Sequence, residues 1–427
     1  MRRREFLKGA PLVVPASALG LNGAVPPSDR ITIGHIGVGG MGSGHVRAFV
    51  QHPDVQTVAI CDVRREHREA AKQIVDSRYG NNDCAVYNDF RELIARSDID
   101  AIVMACPDYW HALIGLEAAR NRKDMYYEKP MSMSIAENQE MRDAVKRYGV
   151  VFQFGTQQRS DAGYRYACEL VRNGRLGRLR NIFIGTATAP YSPDLPPEPV
   201  PPGFDYDMWL GPSPWAPFNT RRCTRDWTHI HDYSLGCLSG AWGIHDVDIA
   251  QWALDADFSG PVEVDAKGVF PDKGLFDTAR EFDAVMTYAN GAKLHLMDMP
   301  TALRKREQFR LQWMSMMFEG DDGWILVSRN GSHAEPQSLL REIIGPDGIR
   351  LSRSADHRRD FLNAVKTRTR PISHIDAAVR SDAVCHLADI SMRLGRKLRW
   401  NPATEQFAND DTANRMLSRP MRSPWRI

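Results

Sequence analysis

Two hydrophobic rhythms follow one another along the chain. From residue 31 to about 152, short continuous apolar runs alternate with segments whose apolar residues recur every three or four positions. The runs lie at 31–36, 56–61, 100–105 and 125–128, and unbroken apolar strands of this kind are buried on both faces of a parallel sheet. Between them the spacing predicts helices over 65–79 and 89–95, one starting near Trp110, and one over 134–149 with Ser134 and Glu137 at capping-box spacing. Strand–helix alternation predicts a doubly wound parallel sheet.

Beyond residue 152 the rhythm changes. Strand signals gather from Arg180 onward, at 262–269, 281–288, 292–297, 309–318 and 324–327, with helices over 241–254, 356–366 and 377–395. Residues 191–218 are rich in Pro and Trp and read as a long ordered loop over a cleft. The fold class is therefore α/β. A parallel-sheet domain over 30–152 precedes an α/β domain over 153–427 with a mostly antiparallel sheet.

The first apolar run leads straight into Gly37-Val38-Gly39-Gly40-Met41-Gly42, the spacing G-x-G-x-x-G. Gly37 permits the tight turn, Gly39 lets backbone approach a pyrophosphate, and Gly42 lets the helix pack on the strand. Gly40 and Met41 complete the cradle, whose free N–H groups face the anion. The second run ends at Asp62, about 20 residues beyond Gly42, where a carboxylate meets an adenosine ribose. These features predict a Rossmann nucleotide-binding domain. Asp62 favours NAD; Arg64 and Arg65 follow at once and are placed to hold the extra phosphate of NADP.

The chain's 427 residues suffice for two domains, and 43% hydrophobic with 25% charged residues is ordinary for a globular protein. A net charge of +2 gives no electrostatic case for nucleic acid. No later apolar run approaches the roughly 18 residues of a membrane span. The first 28 residues read differently. Arg3-Arg4-Glu5-Phe6-Leu7-Lys8, followed by a weakly apolar stretch from Gly9 to Leu21, is a twin-arginine export pattern, with cleavage near Ala18 or Ala24. Export as a folded protein to the periplasm implies a cofactor that stays bound and is restored within each cycle. The seven cysteines include no C-x-x-C, so neither a disulfide framework nor a metal cluster is expected.

Candidate chemistry clusters at the C-terminal ends of the parallel strands. Lys129, after Glu128 and before Pro130, could take or stabilise a substrate hydroxyl proton; the alternative is a lysine at an exposed turn. Pro107 and His111 end another strand, with His111 aimed towards the same cleft, though spacing alone favours a capping or packing histidine. His245 near a helix start could be a general acid/base, with Asp248 orienting it, or simply a structural histidine. His229, His231 and Asp232 look metal-like in spacing but lack further ligands, and no metal is expected.

Gly37–Gly42, Glu128-Lys129-Pro130 and the G-x-H-x-x-D of Gly243–Asp248 together resemble the Gfo/Idh/MocA oxidoreductases, most of all their exported members. The stretches at 155–159, 209–212 and 249–252 add to the likeness, which covers nearly the whole chain beyond the leader. The resemblance implies NAD or NADP, sugar-like substrates, a second domain whose open sheet faces the cofactor, and a homo-oligomer. It makes Lys129 and His245 the catalytic pair. It places Gly37, Gly39, Gly42, Asp62, His111 and Glu128 along the cofactor, and Arg159 near the substrate. Asp232 and Trp242 are further substrate-site candidates. One departure stands out. The full pattern carries an acid four residues before the histidine, and here that position is Ala241. The activities implied are hydride transfer from a sugar or glycoside hydroxyl, a redox-neutral glycosidase that oxidises, eliminates, hydrates and reduces, or sugar binding with a structural nucleotide.

Overall fold

The computed structural model describes residues 25–427; the twin-arginine pattern and its apolar stretch lie outside the described residues. Six strands, β1 (Ile31–Ile36), β2 (Val55–Cys61), β3 (Ala85–Tyr87), β4 (Ala101–Met104), β5 (Asp124–Tyr127) and β6 (Phe152–Phe154), form one parallel sheet in the order β3-β2-β1-β4-β5-β6. Helices α1 (Gly40–Phe49), α2 (Arg65–Tyr79), α3 (Phe90–Ile94), α4 (His111–Arg120) and α5 (Ile135–Tyr148) make the crossovers. The order reverses between β1 and β4, and a crevice opens there beyond the strands' C-terminal ends. Every residue of β4 and β5 is buried, as the continuous apolar runs require. Ser134 caps α5 by accepting from Glu137 N at 3.2 Å, but the Glu137 carboxylate reaches Met133 N at 3.0 Å rather than the cap's own N–H. The edge strands β3 and β6, three residues each, are too short to carry a periodic signal.

The second sheet has nine strands: β7 (Leu179–Thr186), β8 (Glu263–Val269), β9 (Glu281–Thr287), β10 (Lys293–Asp298), β11 (Met316–Gly320), β12 (Gly323–Ser328), β13 (Gly331–Glu335), β14 (Leu398–Asn401) and β15 (Gln406–Phe407). Their order is β13-β12-β11-β7-β10-β9-β8-β14-β15, with β7 and β10 parallel and the other pairs antiparallel. The strand expected over 309–318 starts only at Met316, because Met314 sits at φ 49°, a left-handed turn that extended backbone cannot contain. β13 to β15 carry too few apolar residues to be read from the sequence.

Helices α6 (Ala162–Arg172), α7 (Tyr206–Leu210), α8 (Ile244–Ala253), α9 (Met299–Lys305), α10 (His357–Thr367), α11 (Ile375–Leu394) and α12 (Asp411–Arg415) complete the fold. All ten residues of α8 are buried, and α11 packs on α8, on β8 and on α5 of the first sheet. The Asp382 carboxylate of α11 accepts from Met131 N at 3.2 Å, Asn138 Nδ2 at 3.0 Å and His386 Nε2 at 3.1 Å. The chain just beyond Lys129 is thus tied to α11.

Candidate active site

The turn after β1 shows what each glycine does. Gly37 has φ 76°, and a Cβ there would lie 2.7 Å from the Ala105 carbonyl oxygen. A Cβ on Gly42 would come within 1.9 Å of the Gly37 carbonyl oxygen, so α1 can pack this closely only without one. Around Gly39 a Cβ would touch only the His67 ring, at 3.5 Å, and Gly40 and Gly44 have nothing within 4 Å. This is an open cradle of backbone at the start of α1. Met41 is exposed and lines it. The Asp62 carboxylate holds the loop in shape, accepting from Val38 N at 2.9 Å and from Arg64 N at 2.8 Å. It also pairs with His67 Nδ1 at 3.4 Å, which raises the basicity of that ring.

A cavity of about 780 Å³ runs from this cradle across the strand ends to Lys129, with Pro107, Asp108, Glu128 and Ala241 in its wall. Its other wall is the segment from Met208 to Thr228. The expected loop over a cleft is there, but α7 interrupts it and its lining continues past residue 218. The volume lies within the range of small-molecule sites, roughly 300–1,000 Å³. The open cradle, the free N–H groups of α1 and the ribose-distance acid fit a dinucleotide. Arg64 lines the cavity but is held aside. Its guanidinium stacks 3.9 Å from the Phe204 ring centre and donates to the Cys223 carbonyl at 3.2 Å.

At the far end, Lys129 Nζ donates to the Gly240 carbonyl oxygen at 2.6 Å. Burial, reinforced by Arg225 and Arg329, lowers the basicity of Lys129 against the opposing pull of Glu128 and Asp108. Glu128 is buried and accepts from His45 Nε2 at 2.9 Å and Gln157 Nε2 at 2.8 Å. Burial is the largest single influence and would raise its carboxyl; the His45 hydrogen bond together with the nearby charges of His45, Lys129 and His245 outweighs it and holds the group at about 2. Arg358 Nε donates to His45 Nδ1 at 3.2 Å, which fixes the His45 tautomer. His245 is buried, with Nδ1 lacking any hydrogen-bond partner, and burial together with nearby Lys129 keeps its ring far less basic than usual. It is a neutral imidazole close enough to Lys129 to feel its charge, but it does not itself line the cavity. Asp108 is buried beside them, and burial pushes its carboxyl up to about 7 despite Lys129. Gly240 is needed here: a Cβ would lie 2.1 Å from Ser234 Oγ and 2.3 Å from Asp108 Oδ2.

Other candidates fall elsewhere. His111 is fully buried behind the cavity wall, its Nδ1 2.6 Å from the Pro130 carbonyl and its Nε2 2.9 Å from the Cys106 carbonyl. It braces the two strand-end loops from behind rather than lying along the cavity. Arg159 is not a substrate residue. Its guanidinium is buried in bidentate pairs with Asp248, at 2.7 and 2.9 Å, and with Asp257, at 2.7 and 3.0 Å, leaving no donor free. Asp248 is therefore the partner of Arg159 and not of His245. Asp232 is exposed away from the cavity, with its carbonyl accepting from Ser213 and Arg419. Trp242 is half-buried, stands 5.5 Å from the His245 ring and donates to Asp246 at 3.0 Å, but does not line the cavity. His231 faces Asp389 at 3.4 Å, while His229 packs on Phe276, so that trio does not converge. The seven cysteines are unpaired. Sequence reasoning missed Asp108, Arg225 and Arg329. Asp108 directly follows Pro107, and that position at a parallel strand's end was its only signal; the arginines carried none.

Residues 31–156 match the NAD-binding Rossmann-fold model of an oxidoreductase family, and residues 191–427 match that family's C-terminal alpha/beta domain. An uncharacterized oxidoreductase, YrbE of Bacillus subtilis, is 28% identical over 269 residues, 62% of this chain and 65% of the relative. An alpha-N-acetylgalactosaminidase of Shewanella oneidensis is 29% identical over 175 residues, 34% of this chain and 37% of the relative. The chain thus spans less than two thirds of the length of either. The crystal structure of GenD2 from gentamicin A biosynthesis in complex with NAD shares the fold, with a TM-score of 0.62 at 18% identity over 87% of this chain and 97% of that one. No helix among the described residues is long and apolar enough to cross a membrane. With both halves matched in order and the glycine cradle and strand-end lysine in place, the chain belongs to the Gfo/Idh/MocA family of oxidoreductases.

Proposed function

We propose that this protein oxidises a secondary hydroxyl of a sugar or glycoside at a tightly held nicotinamide cofactor. The observation that carries the reading is Lys129, whose Nζ is fixed by the Gly240 carbonyl at 2.6 Å at one end of the cavity that starts at the glycine cradle. Gly37, Gly39, Gly40, Met41, Asp62 and Pro107 would hold the cofactor, which when bound supplies acceptance of hydride from a carbinol carbon. Lys129, made less basic by burial, takes or stabilises the hydroxyl proton. His245, neutral and beside Lys129, accepts a hydrogen bond or proton from the same substrate. Glu128, anchored by His45 and Gln157, opposes the loss of Lys129 basicity that burial causes. Asp62 and the sequestered Arg64 guanidinium favour NAD over NADP.

The galactosaminidase relative favours a second reading that shares this first step. Oxidation of a ring carbon acidifies the neighbouring C–H; Lys129 or His245 removes that proton, the aglycone leaves, water adds, and the sugar recovers its electrons. A cofactor restored in every turnover also suits export by the twin-arginine route, which Arg3 and Arg4 support, and the reading includes a homo-oligomer. The test is to purify the protein, identify its bound nucleotide, and screen sugars and aryl glycosides for growth or bleaching of the reduced-nicotinamide absorbance. Net reduction supports the oxidoreductase, and aglycone release without net change supports the glycosidase. Sugar binding with neither would make the protein a non-catalytic binder, and a protein that takes up no nucleotide would sink both readings.

A further inference from the structure

Position 241 holds an alanine where the family pattern has an acid, and it lies in the cavity wall directly after Gly240. Lys129 Nζ donates to the Gly240 carbonyl, so an acid at 241 would stand next to the residue that holds the lysine. The other acids of this stretch are no substitute. Asp246 accepts from Trp242 Nε1 at 3.0 Å and from Gln158 Nε2 at 3.4 Å, and it does not line the cavity. Asp248 is paired with Arg159, and Asp232 is exposed away from the cavity. Glu128 lines the cavity but is taken up by His45 and Gln157.

Asp108 reaches the same spot from the first sheet. It follows β4 as Lys129 follows β5, and these strands are neighbours, with Met104 beside Tyr127. Asp108 is 2% exposed, in the cavity wall, and its Oδ2 has no hydrogen-bond partner among the described residues. That oxygen lies against Gly240, where a Cβ would come within 2.3 Å of it. Gly240 is thus held between the two side chains, with the ammonium on its carbonyl oxygen and the carboxyl against its Cα. Leaving a buried carboxyl oxygen unpaired is costly, and a structural role alone does not account for it.

We propose that Asp108 takes the place of the acid absent at 241 and serves as the counter-charge of Lys129 during proton transfer. The inference rests on the proposed oxidation of a sugar hydroxyl and adds a positioning residue to it. As that hydroxyl is oxidised, its O–H bond breaks and an N–H bond forms on Lys129, while the C–H electron pair departs as hydride to the nicotinamide. A positive charge then stands on Nζ, and the ionised carboxyl across Gly240 balances it. Burial pushes the Asp108 carboxyl up to about 7, so it can assume that charge near neutral pH. Glu128, Arg225, Arg329 and His245 also face Lys129, and Asp382 and Tyr127 face Asp108; all stay as they are in the variants that test the proposal.

The experiment is trace acetylation of the full-length protein, carrying its bound nucleotide, with acetic anhydride at steps from about pH 6 to about pH 11, a window that spans ordinary and depressed lysines. Only the neutral amine reacts, so labelling of the Lys129 peptide, read by mass spectrometry, gives the midpoint of its titration. Asp108→Asn keeps the shape of the side chain and removes its charge, and the Lys129 midpoint should fall by about 1 pH unit. Ala241→Asp alone should raise the midpoint, and the double variant should return it close to the parent's. The other lysines are the internal standard and should not move. The proposal is overturned if Asp108→Asn leaves the Lys129 midpoint unchanged, or if the acid at 241 fails to restore it in the double variant. The readout needs no substrate, so its failure is distinct from a failure to oxidise any sugar.

Discussion

Replacing Arg159 with Met separates a structural cation from a substrate-binding one. The side chain is 1% exposed, and its partner Asp248 is fully buried. Removing one member of such a pair leaves the other charge buried without compensation, which costs about 3–5 kcal/mol. Two carboxylates depend on Arg159, so the upper end applies, a large share of the roughly 5–15 kcal/mol that holds a typical protein folded. The assay is denaturant unfolding followed by tryptophan fluorescence, at pH 7 and at pH 5. At pH 7 the variant should unfold at a markedly lower denaturant concentration than the parent. The pH dependence has a definite sign. In the parent, burial would raise the Asp257 carboxyl, but the charge and hydrogen bond of Arg159 together with His374 hold it well below the usual range, so its stabilisation is complete above about pH 4 and fades only in stronger acid. Without the guanidinium, burial pushes that carboxyl up with only His374 opposing it, and a proton taken up at pH 5 relieves part of the penalty. The gap between parent and variant should therefore narrow from pH 7 to pH 5. A variant as stable as the parent at both pH values, with only sugar binding lost, would refute the structural assignment.

Asp108→Asn tests the buried carboxyl. Its folded value of about 7 lies above that of an unfolded aspartate, so the parent loses stability as pH rises from about 4 to about 7 and the variant does not. The melting temperature of the variant relative to the parent should climb between pH 5 and pH 8, and a constant difference would contradict the assignment. Gly42→Ala should abolish nucleotide binding or folding, since its Cβ would collide with the Gly37 carbonyl, whereas Gly40→Ala should keep nucleotide in the purified protein; equal behaviour of the two would refute the cradle as described. Lys129→Gln should lower turnover roughly 10²–10⁴-fold, the range for a lost acid/base group, with nucleotide still bound. Turnover equal to the parent's would remove Lys129 from the chemistry.

The parallel sheet, the cradle and the order of the strand-end motifs can be read from the order of the amino acids alone. Those features are local: a run of apolar residues makes a buried strand wherever it sits, and a turn that must be tight shows itself as glycine. Lys129 and Glu128 were legible for the same reason, because the end of a parallel strand is where such a sheet places its ligands. The tertiary structure alone decided which polar side chains reach the cavity. Arg159 and Asp248 both belong to stretches that read as functional, yet they face each other 2.7 Å apart in the core. His111 was legible as a residue of the strand end, but whether it faces the cavity or the protein interior depends on the packing of Pro130 and Cys106 around it. Arg225 and Arg329 come from a loop and from the far edge of the second sheet, a separation no spacing rule spans. A charge announces its type in the sequence, but its partner is chosen by the fold, and the partner decides whether that charge is spent inside the protein or left for a ligand.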